Sequence, residues 1–168
     1  LKQRIDRFKN FGIVNELHVE AEGFNAKMSE LHAAVGLAQL AHIDEALTAR
    51  LAVAARYREA LAGLPGLHCI GGAGTEQWNA AYFPVLIEPG FRGGRDAVHD
   101  ALRARDIYAR RYFHPLVSSL PMYRALPSAA ADRLPVATAI AERILCLPIH
   151  PELTAAEQQR VVDVLRNG

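Results

Sequence analysis

Four polar side chains crowd into one short stretch of this chain: Arg110, Arg111, Tyr112 and His114 in DIYARRYFHPL, residues 106–116. A guanidinium presents forked N–H donors that match phosphate or carboxylate oxygens two at a time. A phenol and an imidazole beside it can meet hydroxyl groups. Together they make a polar cluster at the end of a candidate strand. The plainer reading of the same residues is a solvated strand end, with Tyr112 half-buried and both arginines in water.

Asn25 is the second candidate, in the segment GFNAKMSELHAAVGLAQL at residues 23–40. An asparagine just ahead of a helix caps it, because its side-chain oxygen accepts from a free backbone N–H. The same position suits phosphate, since a helix N-terminus offers free N–H groups and the positive end of the helix dipole. The residues themselves leave both readings open. Glu30 reads as a helix-stabilising acid and His32 as a satisfied interface residue. Other chemistry is poorly served. The seven histidines form no H-x-x-x-H pair and the two cysteines no Cys-x-x-Cys pair, so no metal site is expected. Gly71, Gly72 and Gly74 do not lead from a strand into a helix bearing a Lys-Ser/Thr pair, which makes them a weak phosphate loop.

The elements that must position these residues follow from periodicity. LKQRIDRFKN reads as the end of a helix, and a polar connection then runs to Gly23. From Met28 to Leu61 the pattern is helical throughout, with the stripe Met28, Leu31, Val35 giving way to Leu40, Ile43, Leu47, Leu51. That change of phase predicts a rotated face or a bend near Gly36. Leu67 to Ile70 and residues 80–88 (AAYFPVLIE) read as strands, the second at an edge or a bulge because of Pro84. Asp96 to Arg105 reads as a helix and Ile107 to Tyr112 as a returning strand. Residues 115–135 are an irregular, proline-punctuated stretch. A short helix over Leu134 to Arg143, a strand over Ile144 to Leu147 and a helix over Thr154 to Arg166 close the chain, with Thr154 and Glu157 forming a capping box. Strands alternating with helices predict an α/β layer, a small sheet with helices on one face.

Composition bounds the partners. Nineteen basic and eighteen acidic side chains nearly cancel, which leaves no electrostatic footprint for nucleic acid or an anionic membrane. No apolar run is long enough to span a bilayer and no export signal opens the chain. Cys69 and Cys146 read as reduced core residues, which fits a cytoplasmic protein. Because residue 1 is leucine, a piece of a longer polypeptide is expected.

The 23–40 segment, the R-x-Y-x-P-L type of stretch at 111–116 and the ending LPVATAIAERILCLPIHPELT at 134–154 resemble the DegT/DnrJ/EryC1/StrS family of pyridoxal-phosphate sugar aminotransferases, over residues 10 to 165 and in the C-terminal part only. The resemblance implies an aspartate-aminotransferase-like (fold type I) enzyme, with residues 1–22 ending a large-domain helix and its connection and residues 23–168 forming the small C-terminal domain. It implies amino transfer from an amino acid such as glutamate, through pyridoxal 5'-phosphate, to a nucleotide-linked keto sugar. It makes Asn25 a contact to the cofactor phosphate of the neighbouring subunit in a homodimer. Arg110, Arg111, Tyr112 and His114 would line the sugar-nucleotide mouth, with His114 standing where many relatives carry tyrosine. The Schiff-base lysine is not in this chain: Lys2, Lys9 and Lys27 do not take its place, so the chain alone is expected to be inactive. A sugar dehydratase of the same family, or a non-catalytic binding or dimerisation module, are the alternatives.

Overall fold

The structure, a computed structural model, describes residues 1–71 and 78–167. Gly72 and Gly74 of the glycine loop lie outside the described residues. The chain divides into two compact units, residues 1–43 and 44–168.

In the first unit, helix α1 (Lys2–Phe8) runs into a short hairpin of β1 (Ile13–Asn15) and β2 (His18–Val19). The expected polar connection is therefore partly a two-stranded sheet. Its turn is closed by Asn15, whose Oδ1 accepts from the Leu17 N–H at 3.0 Å, an Asx turn that substitutes a side chain for a backbone acceptor. Gly12 has φ +75°, and a Cβ there would meet the Ala21 carbonyl oxygen at 1.6 Å, so glycine is required. Helix α2 (Glu30–Leu40) follows.

The single helix expected from Met28 to Leu61 is instead two, α2 and α3 (Ile43–Leu61). The break falls at Ala41 and His42 rather than near Gly36. There the His42 N–H turns to the Gln39 carbonyl three residues back, tightening the last turn and ending the ladder.

The second unit carries the core. Strands β3 (Leu67–Cys69), β4 (Phe83–Ile87) and β5 (Ile144–Leu147) form an antiparallel sheet in the order β3-β4-β5. Alternation decides its faces: Phe83, Val85 and Ile87 are fully buried, and opposite them in register stand Leu147, Leu145 and Leu67. Against these residues pack Val53, Tyr57 and Leu61 of α3, Val98 and Leu102 of helix α4 (Gly94–Arg103), and Val161, Val162 and Leu165 of helix α6 (Ala155–Asn167). The expected layer of helices on one sheet face is what forms.

Two expectations about the sheet need correction. β4 is its central strand and runs in unbroken register, although Pro84 pointed to an edge or a bulge. Pro84 and Cys146 pair without bonding each other, because the Cys146 backbone turns to Arg110 instead, with bonds of 2.9 and 2.7 Å. On its other side the Pro84 carbonyl accepts from the Ile70 N–H at the end of β3, where a missing donor costs one terminal bond. Second, residues 107–112 form no strand; among the described residues their backbone pairs with β5 through a single isolated bridge, Arg110 to Cys146. Asp106 has φ +58°, which bends the chain out of extended geometry before the ladder can begin.

Candidate functional site

The Arg110 bridge fixes where the polar segment begins. From there the chain turns tightly, with Tyr112 N–H donating to the Arg110 carbonyl (3.0 Å) and His114 N–H to the Arg111 carbonyl (2.7 Å). The Tyr112–Phe113 and His114–Pro115 peptide bonds are cis. The four candidates then diverge into three surroundings.

Arg110 and Tyr112 face an open cleft of about 310 Å³ lined also by Tyr82, Tyr108, Cys146 and Pro148. Arg110 Nη1 donates to Tyr112 Oη at 2.8 Å, which occupies an acceptor position of the phenol and leaves its proton free for a ligand. Tyr112 stacks on Phe113 with centroids 4.8 Å apart, and Tyr82 stands edge-on to it at 5.5 Å. Tyr108 lies under the Arg103 guanidinium at 4.3 Å. The cleft thus joins aromatic faces to cationic forks.

Arg111 turns the other way. Its Nε donates to Asp96 Oδ1 at 2.6 Å, its Nη2 lies 3.7 Å from Asp100 and its Nη1 3.3 Å from His99 Nε2, all on α4. Asp96 in turn accepts from Arg95, which is buried and donates through Nη1 to the Ala141 carbonyl at 2.5 Å, the last residue of helix α5 (Pro135–Ala141). The Arg95 and Arg111 guanidiniums hold the Asp96 carboxyl down at about 2, Arg95 having the larger effect.

His114 borders a separate, smaller cavity of about 190 Å³ beneath the irregular stretch, with Leu116, Ser119, Thr138 and Glu142. Residues 117–119, 127–129 and 131–133 of that stretch are single 3₁₀ turns.

Asn25 belongs to the other unit. It is not the helix cap: that place is taken by Ser29, whose hydroxyl accepts from the His32 N–H at 3.3 Å and also meets His32 Nδ1. Asn25 instead pairs as an isolated bridge with Asn10, flanked by Phe24 N–H to Phe8 O (2.9 Å) and Ala26 N–H to Lys9 O (3.0 Å). Its backbone is fixed while its carboxamide has no hydrogen bond among the described residues.

The lysines bear on the cofactor. Lys2 and Lys9 both pair with Asp6, and Lys27 donates to Asn10 Oδ1 at 3.2 Å; none is buried. A Schiff-base lysine needs a desolvated pocket, which none of these three occupies; the unbonded Asn25 carboxamide offers an N–H donor of the kind a phosphate oxygen accepts. Among the described residues no cluster of His, Cys, Asp or Glu has the makings of a metal site, and no helix is long and apolar enough to cross a membrane. Both cysteines are free, and burial pushes their thiols up, away from the reactive thiolate.

Two groups escaped the sequence reading. Tyr82 could have been found, since alternation that turns Phe83 inward turns Tyr82 outward at the same strand end. Asp96 could not, because its pairing with Arg111 spans fifteen residues.

The fold is that of part of the pyridoxal-phosphate-dependent aminotransferases. The chain belongs to the DegT/DnrJ/EryC1/StrS aminotransferase family, whose family model matches residues 1–166. It is 47% identical over 152 residues to a dTDP-4-amino-4,6-dideoxy-D-glucose transaminase of Escherichia coli, covering 90% of this chain and 41% of that protein. A Shigella dysenteriae transaminase of the same description is 37% identical over 166 residues, covering 99% of this chain and 45% of that one. Among solved structures, DesI, crystallised in the presence of its TDP-sugar product, superposes with a TM-score of 0.83 at 36% identity, over 98% of this chain and 41% of its own. The chain thus spans less than half the length of the relatives it matches.

Proposed function

We propose that this chain is the C-terminal part of a pyridoxal-phosphate-dependent aminotransferase that moves an amino group from an amino acid, glutamate as the expected donor, to a keto group on a nucleotide-linked sugar. One observation carries the reading: a family match over nearly the whole chain, with 47% identity to a dTDP-sugar transaminase. A thymidine-diphosphate-linked 4-keto sugar is the substrate class we assign.

Pyridoxal phosphate, when bound, supplies the electron sink and amino carrier for this reaction. This chain's part is to bind and orient. In the working homodimer the Asn25 carboxamide donates to the cofactor phosphate of the neighbouring subunit. Arg110 offers its fork to the substrate diphosphate, and Tyr112, whose oxygen already accepts from Arg110, keeps its proton to donate to the ligand. His114 meets sugar hydroxyls from the far side of the turn. Arg111, paired to α4, adds positive charge behind them. The chain alone is inactive in this reading, because none of its three lysines is buried. The parent enzyme is cytoplasmic, consistent with its free thiols.

The test is direct. Full-length enzyme with pyridoxal phosphate, glutamate and the 4-keto counterpart of dTDP-4-amino-4,6-dideoxyglucose is expected to form the amino sugar and one 2-oxoglutarate per turnover. Loss of a sugar hydroxyl without 2-oxoglutarate would move it to the dehydratase branch. Failure to turn over any nucleotide-linked keto sugar would overturn the reading.

A further inference from the structure

Residues 112–114 reach the ligand clefts from a turn that Tyr82 and the Cys146 thiol meet at Tyr112 and whose backbone is tied on two sides. On one side Arg110 is laddered to Cys146 of β5 by two backbone bonds. On the other, among the described residues only the Arg111 side chain ties the turn to α4, through Asp96 at 2.6 Å, with Asp100 at 3.7 Å and His99 at 3.3 Å as weaker neighbours. The Arg111 carbonyl is what His114 N–H bonds, so the placement of Arg111 passes directly to His114. Asp96 is itself held from behind by Arg95, which is buried and anchored on the last residue of α5. The chain of contacts runs from α5 through Arg95 and Asp96 to Arg111 and ends at the backbone of the candidate substrate residues.

We propose that Asp96 is a positioning residue: acting through Arg111, it sets the orientation of Tyr112 and His114 and so the affinity for the nucleotide-linked sugar. This rests on the assignment of residues 110–114 to that substrate. Arg111 is then a strut and not a ligand, since its guanidinium N–H groups are directed to α4. A carboxylate is needed at 96 because it must accept from two guanidiniums at once. Asparagine offers one oxygen and turns an N–H group toward one of them.

The two roles for Arg111 make opposite forecasts. If it is a strut, Asp96→Asn and Arg111→Lys in the full-length enzyme each raise KM for the nucleotide keto sugar about tenfold, the effect of roughly one charge-assisted hydrogen bond. The double variant is no worse than either single one, because each removes the same link. KM for the amino-acid donor stays near wild type in both variants, the thermal midpoint of Arg111→Lys stays near wild type because its pair with Asp96 is partly exposed and adds little stability, and Asp96→Glu restores part of the sugar affinity. Hydrogen exchange at residues 111–114 quickens in Asp96→Asn.

An unchanged sugar KM in Asp96→Asn, while Arg111→Lys loses affinity, overturns the proposal and makes Arg111 a direct ligand. Equal rises in both KM values with a lowered midpoint also overturn it, as a role in folding alone. A wild-type enzyme that accepts no nucleotide-linked keto sugar overturns the functional reading first and this proposal with it.

Discussion

Asn25 is where sequence and structure part most usefully at the scale of a residue. The sequence left it between a helix cap and a phosphate contact, and the cap belongs to Ser29, four residues on. What remains is an exposed carboxamide on a backbone pinned to Asn10. A polar side chain left unbonded on a fixed backbone is suited to a ligand, since binding then has only its rotamers to order. Asn25→Ala in the full-length enzyme should weaken cofactor retention about 10- to 100-fold, for the roughly 1.5–3 kcal/mol of a hydrogen bond to a charged group. Dialysis followed by the cofactor's visible absorbance measures this. Retention equal to wild type would end the phosphate assignment. The cluster at 110–114 teaches the same lesson. Its residue types were legible, but their directions were not, because Arg111 is claimed by carboxylates fifteen and eleven residues earlier in the chain.

Elements with local signals were readable, and those set by distant pairing were not. β4 alternates along its own sequence and α6 announces its start with Thr154 and Glu157. By contrast, the place of β4 in the centre of the sheet depends on how Cys146 and Ile70 spend their backbone groups, which no local pattern encodes. The short hairpin at 13–19 is too brief to show a period. The α6 cap is as the sequence predicts: Glu157 N–H donates to Thr154 Oγ1 at 3.2 Å, while Thr154 donates through its hydroxyl (2.7 Å) and backbone N–H (3.0 Å) to Glu157. Thr154→Ala should cost about 1 kcal/mol at neutral pH. The Thr154 bonds hold the Glu157 carboxyl below its ordinary value. A lowered native pKa means stability present above the unfolded value, 4.5, and lost as pH falls below it. Wild type should therefore be more stable than Glu157→Gln at pH 7, and the two thermal midpoints should converge as the pH falls through the lowered value of the Glu157 carboxyl. A gap that persists in acid would show that the carboxylate is not what the cap uses.

At the scale of the whole molecule, the two units differ in kind. Residues 44–168 contain the entire hydrophobic core, while in residues 1–43 only Gly12 is buried. Helix α2 and its approach expose Met28, Leu31 and Val35 along one stripe and Leu37 and Leu40 along another, with Leu31 74% and Leu37 69% accessible. A helix apolar on two faces belongs inside an assembly, and exposed patches of this extent mark interfaces. The contact proposed from Asn25 to a neighbouring subunit needs a homodimer, and we propose that α2, five residues downstream, helps to build it. Leu31→Glu in the full-length enzyme should shift sedimentation from dimer to monomer at micromolar concentration. The substitution gives up about 1.5–3 kcal/mol of leucine burial and adds the cost of an unpaired interfacial charge. Activity should fall with the dimer and return as enzyme concentration rises, because each active site would borrow Asn25 from its neighbour. A monomer that keeps full activity would remove the trans contact. A dimer indifferent to Leu31→Glu would move the interface off this stripe of α2.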